Sequence, residues 1–124
     1  MAAEKKVLII DDDAAITHLL ENIVKSRGFQ VVKEHNAEAG LESFKNNQPD
    51  LVLLDVMMPK TDGLTLCRMM RQESGRGYRP GIVLITAVYR SHAFRRDAMR
   101  SGADEVLVKP IDINAVDQVL KKFG

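Results

Sequence analysis

Short apolar runs alternate with amphipathic stretches along the whole chain. In "KKVLIIDDD" the apolar run 7–10 ends on Asp11, Asp12 and Asp13. Beyond it Ile16, Leu19, Leu20, Ile23 and Val24 recur at the i, i+3, i+4, i+7, i+8 spacing of one helical face, and Gly28 supplies a C-terminal cap. "FQVVKE" (29–34) predicts a second strand. Asn36 then caps a helix with Ala37, Gly40, Leu41 and Phe44 on one face, stopped by "NNQPD". The pattern continues with an apolar strand "LVLLD" (51–55), a helix over 65–74, the glycine-rich connection "GRGYRPG" and a strand over 82–86. Ser91 caps a fourth helix ending near Gly102. "EVLVK" (105–109) reads as the fifth strand, and Asp112 caps a last helix in which Ile113, Val116, Leu120 and Phe123 share a face.

Five strands alternating with five helices, most strands apolar on both faces, predict an α/β fold: a parallel sheet with helices on both sides. Right-handed crossovers point all five strands the same way, so their last residues lie along the one edge where ligands bind in open α/β sheets. With 124 residues, 13.9 kDa and 45% hydrophobic residues, one compact domain over 1–124 is expected. Eighteen basic and seventeen acidic residues leave a net charge of +1, so no strong overall field draws the chain to nucleic acid or an anionic membrane. "MAAEKK" is too short and polar for a signal peptide, and no apolar run approaches the roughly 18 residues of a membrane span. A soluble, cytoplasmic protein is the expectation. Cys67, the only cysteine, sits in apolar "LTLCRMM" and reads as a buried structural thiol.

The strand ends carry Asp11 and Asp12, Asp55, Thr86 and Lys109. Neighbouring strands lie about 4.8 Å apart, so these residues can share one small site. Two unit charges 4 Å apart repel by on the order of 4 kcal/mol at an effective dielectric near 20. A cation among the carboxylates is therefore expected. An all-oxygen set favours Mg²⁺, with Mn²⁺ as the alternative, and no His or Cys at a strand end suggests zinc. Asp13 reads as the cap of the first helix. Asp55, beside a metal, a lysine and a hydroxyl, has the features of a nucleophile that would form an aspartyl phosphate.

In this order and spacing, "VLIIDDD", "LVLLDVMMPKTDG", "VLITA" and "GADEVLVKP" resemble the receiver domains of two-component response regulators, over essentially the whole chain. The resemblance implies a flavodoxin-like (βα)5 three-layer sandwich with strand order 2-1-3-4-5. It implies that Asp55 is the phosphoacceptor, that Asp12, Asp55 and the backbone carbonyl of Met57 hold Mg²⁺, and that Asp11 assists through water. Lys109 would pair with a phosphoryl oxygen, its peptide bond to Pro110 would be cis, Thr86 would be the switch hydroxyl, and the Ala87 amide would help hold the phosphoryl group. The implied donor is the phosphohistidine of a sensor histidine kinase or phosphotransfer protein. The implied output is a downstream protein or fused effector bound through the face of the fourth helix, fifth strand and fifth helix, with a phosphorylation-linked homodimer as one form of it. No membrane and no direct nucleic acid binding by this domain are implied. The chain reads as a stand-alone regulator or one excised from a longer protein, any further domain lying downstream.

Two features depart from the family pattern. Val106 stands where an aromatic switch residue is usual, so Tyr89 or Phe94 is expected to supply the moving aromatic. Met57 and Val88 stand where some relatives carry polar groups that orient water, and slow self-dephosphorylation is expected. His18, His35 and His92 read as surface residues, and Met57, Met58, Met69 and Met70 as strand-edge and helix packing. His92, Arg96 and Arg100, with Arg95 beside them, give the fourth helix a basic stripe. Its readings, in decreasing frequency, are a solvated face, a protein-partner or dimer surface, and a nucleic acid contact.

The main reading is a signalling switch rather than an enzyme. One rival is a Mg²⁺-dependent aspartyl-phosphate phosphotransferase or phosphatase, which usually carries a second acid where this chain has Met57. The other is a receiver-like binding module that is never phosphorylated.

Overall fold

The computed structural model describes residues 4–75, 77–87 and 91–124. The elements are β1 (Lys6–Ile10), α1 (Ala14–Ser26), β2 (Gln30–Glu34), α2 (Ala37–Asn47), β3 (Leu51–Asp55), α3 (Gly63–Glu73), β4 (Gly81–Thr86), α4 (His92–Arg100), β5 (Glu105–Val108) and α5 (Ile113–Phe123). The five strands pair in parallel in the order β2-β1-β3-β4-β5, the flavodoxin-like arrangement expected. A hairpin of Met57–Met58 and Thr61–Asp62, which the apolar pattern did not foretell, separates β3 from α3.

Period-two alternation divides the sheet between two cores. Leu8, Ile10, Val52, Leu54, Ile82 and Leu84 pack with Phe44 of α2, Leu66 and Met70 of α3, and Ala98 of α4. Val7, Ile9, Leu51, Leu53, Val83 and Ile85 pack with Leu20 and Val24 of α1 and with Val116 and Leu120 of α5. Cys67 is fully buried, as expected. Edge strand β2 departs from the expected two-sided burial: Val31 and Val32 are only half-buried.

Several apolar positions lie outside these cores. Leu19 is 40% exposed because it stands on the flank of α1, and Thr17 takes the buried place instead, its hydroxyl donating to the Ala14 carbonyl at 3.0 Å. Ile113, at the first turn of α5, is 50% exposed, while Val119 joins Val116 and Leu120 in the core. Among the methionines, Met58 and Met70 pack inside as expected. Met57 and Met69 do not, being 61% and 42% exposed.

Side-chain caps set the helix starts. Asp13 accepts from the Ala15 and Ile16 amides, and Asn36, Ser91 and Asp112 cap α2, α4 and α5. Asp62 does the same for α3 by accepting from Leu64 N at 2.9 Å, so α3 begins at Gly63, two residues earlier than the apolar spacing suggests. At the opposite end of the fold, Arg71 of α3 donates to the Gly102 carbonyl at 3.0 and 2.7 Å, to the Pro80 carbonyl at 2.9 Å and to Asp104 at 3.1 Å. One guanidinium thereby ties the turn after α4 to the starts of β4 and β5.

Gly63 is required by contact. Its amide donates to the Val56 carbonyl at 3.0 Å, and a Cβ there would lie 2.5 Å from Val56 Cα and 2.9 Å from the Asp55 carbonyl oxygen. Those are backbone atoms with no rotamer to yield. Gly63→Ala is expected to destabilise the fold by about 1–3 kcal/mol or more, read as a lowered urea midpoint. An unchanged midpoint would show that the β3–α3 connection can move aside.

Candidate functional site

The open ends of β1, β3, β4 and β5 bring together the residues singled out in the sequence. Asp11 and Asp55 are buried, at 1% and 3% exposure, although each ends an apolar strand, and Asp12 is exposed beside them. One carboxylate oxygen from each of Asp11, Asp12 and Asp55 lies within 4.8 Å of the others. Lys109 reaches across from the end of β5, placing Nζ 3.1 Å from Asp11 Oδ2 and 3.7 Å from Asp55 Oδ1. Its own amide donates to the Thr86 carbonyl at 2.8 Å, which fixes the end of β5 against β4. The Lys109–Pro110 bond is cis, as the resemblance implies.

The charge balance is unfavourable without further cations. Burial, then the neighbouring Asp11 charge, push the Asp55 carboxyl up to about 6, while the Met57 amide and Lys109 pull the other way. Burial by itself lowers the Lys109 ammonium, but Asp11, Asp55 and Asp13 outweigh it and hold the group above its ordinary value. Asp11 Oδ1 accepts the Asp13 amide at 2.9 Å. Buried Oδ2 has no hydrogen bond of good geometry, so its contact with Lys109 is a Coulombic pairing. Three carboxylates faced by one lysine, all donors oxygen and one buried oxygen lacking a hydrogen bond, fit a hard divalent cation.

The surroundings include residues that the sequence did not single out. His35, exposed like His18 and His92, directs Nδ1 at the Asp11 carbonyl at 3.1 Å, and since a carbonyl only accepts, Nδ1 is the protonated nitrogen there. Gly63 and Asp62 hold the loop after Asp55. The Asp–Gly pair just ahead of an apolar helical period was the available signal for them. Thr86 is buried at the end of β4, Ala87 is exposed after it, and Met57 projects outward two residues beyond Asp55. Val106 is buried in the core shared by α2, α3 and α4. Phe94 is half-buried against that core, and with Thr86, Met57 and Asp97 it lines a cavity of about 460 Å³. Val88 and Tyr89 lie outside the described residues.

The sequence profile of the response regulator receiver domain matches residues 7–121. The chain belongs to the response regulator receiver domains. It is 37% identical over 107 residues to the probable transcriptional regulator ycf27 of Porphyridium aerugineum, covering 86% of this chain and 42% of that protein. It is 33% identical over 134 residues to the transcriptional regulatory protein CseB of Streptomyces avermitilis, covering 100% of this chain and 52% of that protein. This receiver chain therefore spans about half the length of the curated relatives it matches. Among solved structures, the CheY-like response regulator receiver domain protein of Methanospirillum hungatei superposes with a TM-score of 0.87 at 25% identity, over 97% of this chain and 93% of that one. Receiver domains work through phosphorylation of an aspartate and generally bind Mg²⁺ at an acidic cluster, and this chain has an acidic group of Asp11, Asp12 and Asp55 with which that is compatible. No helix among the described residues is long and apolar enough to cross a membrane.

The crowding has a pH signature. With the folded Asp55 carboxyl near 6 and its ordinary value at 3.8, the folded state binds the proton more tightly between those pH values. Stability without divalent cation therefore falls as pH rises from about 4 through about 6. Asp55→Asn in a chelating buffer is expected to be more stable than wild type at neutral pH by on the order of 1 kcal/mol, after allowing for solvent screening. The gain should vanish near pH 4, as thermal melts at both pH values would show. An equal gain at both would assign the effect to packing rather than charge.

Proposed function

We propose that Asp55 is the phosphoacceptor of a two-component signalling switch, charged by the phosphohistidine of a sensor histidine kinase or phosphotransfer protein. The observation that carries this reading is the placing of buried Asp55 among two further carboxylates with Lys109 Nζ 3.7 Å from its Oδ1. An Asp55 carboxylate oxygen attacks phosphorus, the bond from phosphorus to the imidazole nitrogen breaks, and the leaving imidazole keeps the electron pair. Asp12, Asp55 and the Met57 carbonyl, with Asp11 assisting through water, would hold a Mg²⁺ or Mn²⁺ ion, which would supply neutralisation of charge on the transferred group. Lys109 pairs with a phosphoryl oxygen, and Asp11 keeps the lysine aimed into the site. The Thr86 hydroxyl and the Ala87 amide take further phosphoryl oxygens.

The output is a shift of the face formed by α4, β5 and α5 toward a downstream protein, a fused effector or a second copy, in a cytoplasmic protein that catalyses only its own phosphorylation and slow dephosphorylation. Residues 1–124 act as one receiver unit. With Val106 in the core, Phe94 takes the aromatic part next to Thr86. This is supported by the cavity the two residues share.

Incubation with Mg²⁺ and acetyl phosphate is expected to add one phosphoryl group to the wild type and none to Asp55→Asn, by intact mass. Turnover of phosphomonoesters without an adduct would favour a phosphatase, and no adduct even from a cognate kinase would favour a binding module. The Met57 thioether cannot orient water strongly. The adduct should accordingly persist, and Met57→Gln should shorten its lifetime by up to about tenfold, measured as loss of adduct mass with time.

A further inference from the structure

Among the described residues, α4 is the least buried helix, with Ala98 its only fully buried residue. Its outer face is basic: His92, Arg95, Arg96 and Arg100 are all exposed, and they surround half-buried Met99 in a shallow groove of about 390 Å³. At 100° per residue these five positions fall within one stripe, with Met99 near its middle. Only Arg95 has a carboxylate in reach, Glu105 at 3.5 Å, and neither Arg96 nor Arg100 has one within 4.0 Å among the described residues. The one acid of α4, Asp97, lies on the opposite flank, lining the cavity beside Thr86. Three arginines, of which only Arg95 meets a glutamate, form a local excess in a chain whose net charge is only +1.

We propose that the α4 stripe is the docking surface for an acidic amphipathic helix of a partner protein, with carboxylates on Arg96 and Arg100 and an apolar side chain on Met99. The proposal deepens the switch reading, since it names the partner chemistry of the output face. Charge complementarity selects this occupant. A second copy in two-fold contact would bring the same arginine excess against itself. Nucleic acid is disfavoured by the length of the patch: nine helical residues, about 13 Å, offer too few cations for many phosphate contacts, and Met99 has no use there.

The probe is a fluorescein-labelled helical peptide with glutamates at i, i+4 and i+8 around a central leucine, followed by anisotropy. Controls are the same peptide with glutamine, the same with lysine, and a random-sequence DNA duplex. Wild-type protein is expected to bind the glutamate peptide at least tenfold more tightly than the glutamine one, with binding weakening as salt rises. Arg96→Glu combined with Arg100→Glu should lose at least tenfold for the glutamate peptide and gain affinity for the lysine one. Circular dichroism of this variant checks its fold, and Arg96→Gln combined with Arg100→Gln, expected to fall between, serves if the reversal does not fold. Equal binding of glutamate and glutamine peptides, or no effect of the substitutions, would overturn the proposal. Tighter binding of DNA would do so in favour of nucleic acid, and a dimer abolished by the reversal would do so in favour of a second copy. Intact mass after acetyl phosphate or a cognate kinase separates the two readings: the reversal variant should still gain its adduct from acetyl phosphate, and peptide binding by a wild type that gains none from either donor would refute Asp55 as acceptor while leaving the docking surface standing.

Discussion

The Lys109 ammonium, set between Asp11 and Asp55, is the contact on which the open edge of the sheet depends. Two carboxylates buried at the ends of adjacent strands repel each other and have lost much of their hydration, and either penalty alone would favour protonation or exposure. The lysine reaches them from β5, two strands from β3, over the end of β4. The hydrogen bond that its backbone N–H donates to the Thr86 carbonyl fixes where the stem starts, and the half-buried stem confines where the charge arrives. Compensation is incomplete, because one positive charge faces three negative ones. That deficit suits a divalent cation.

The rest of the fold keeps this edge in shape. Two apolar cores, one on each side of the sheet, hold β1 and β3 in register so that Asp11 and Asp55 end side by side. The loop after Asp55 is confined by close approach: Gly63 lies against Val56 and the Asp55 carbonyl, and the Asp62 cap starts α3 at once. Asp55 is thus held on both sides by backbone. In contrast, α4 is joined to the core chiefly by Ala98 and by half-buried Phe94 and Met99, while Arg71 grips the turn at its C-terminal end. That helix is lightly packed along its length and presents its cations outward. The carboxylate cluster sits where the sheet is packed on both faces, and the proposed docking stripe sits on the least buried helix among the described residues.

Much of this could be read along the chain. Period 3.6 patterning, the Asp, Asn and Ser caps, and the apolar runs located all five sheet strands and five helices, because those signals are local. The parallel sheet followed from the alternation, and the sheet edge from the handedness of crossovers. Asp11, Asp12, Asp55, Thr86 and Lys109 are thereby legible as one group at that edge from the strand ends alone. The misplacements have local causes as well. Leu19 and Ile113 satisfy the helical period yet stand at the margin of the buried arc, and Met57 lies in a hairpin too short to leave a periodic signal.

The sequence by itself determined which residues carry charge at the strand ends, since residue type and strand boundaries are properties of short segments. Distances and burial were decided only by the tertiary structure, because they depend on segments far apart in the chain meeting across the sheet. Asp11 is buried and coupled to Lys109 whereas Asp12, its neighbour, is exposed. His35 reaches the Asp11 carbonyl from β2's end, and Gly63 owes its necessity to Val56 backbone atoms that pass within van der Waals range. No pattern of hydrophobic and polar letters contains those facts. They arise when strands pair in one order, which sets the few ångströms separating a repulsive cluster from a usable site.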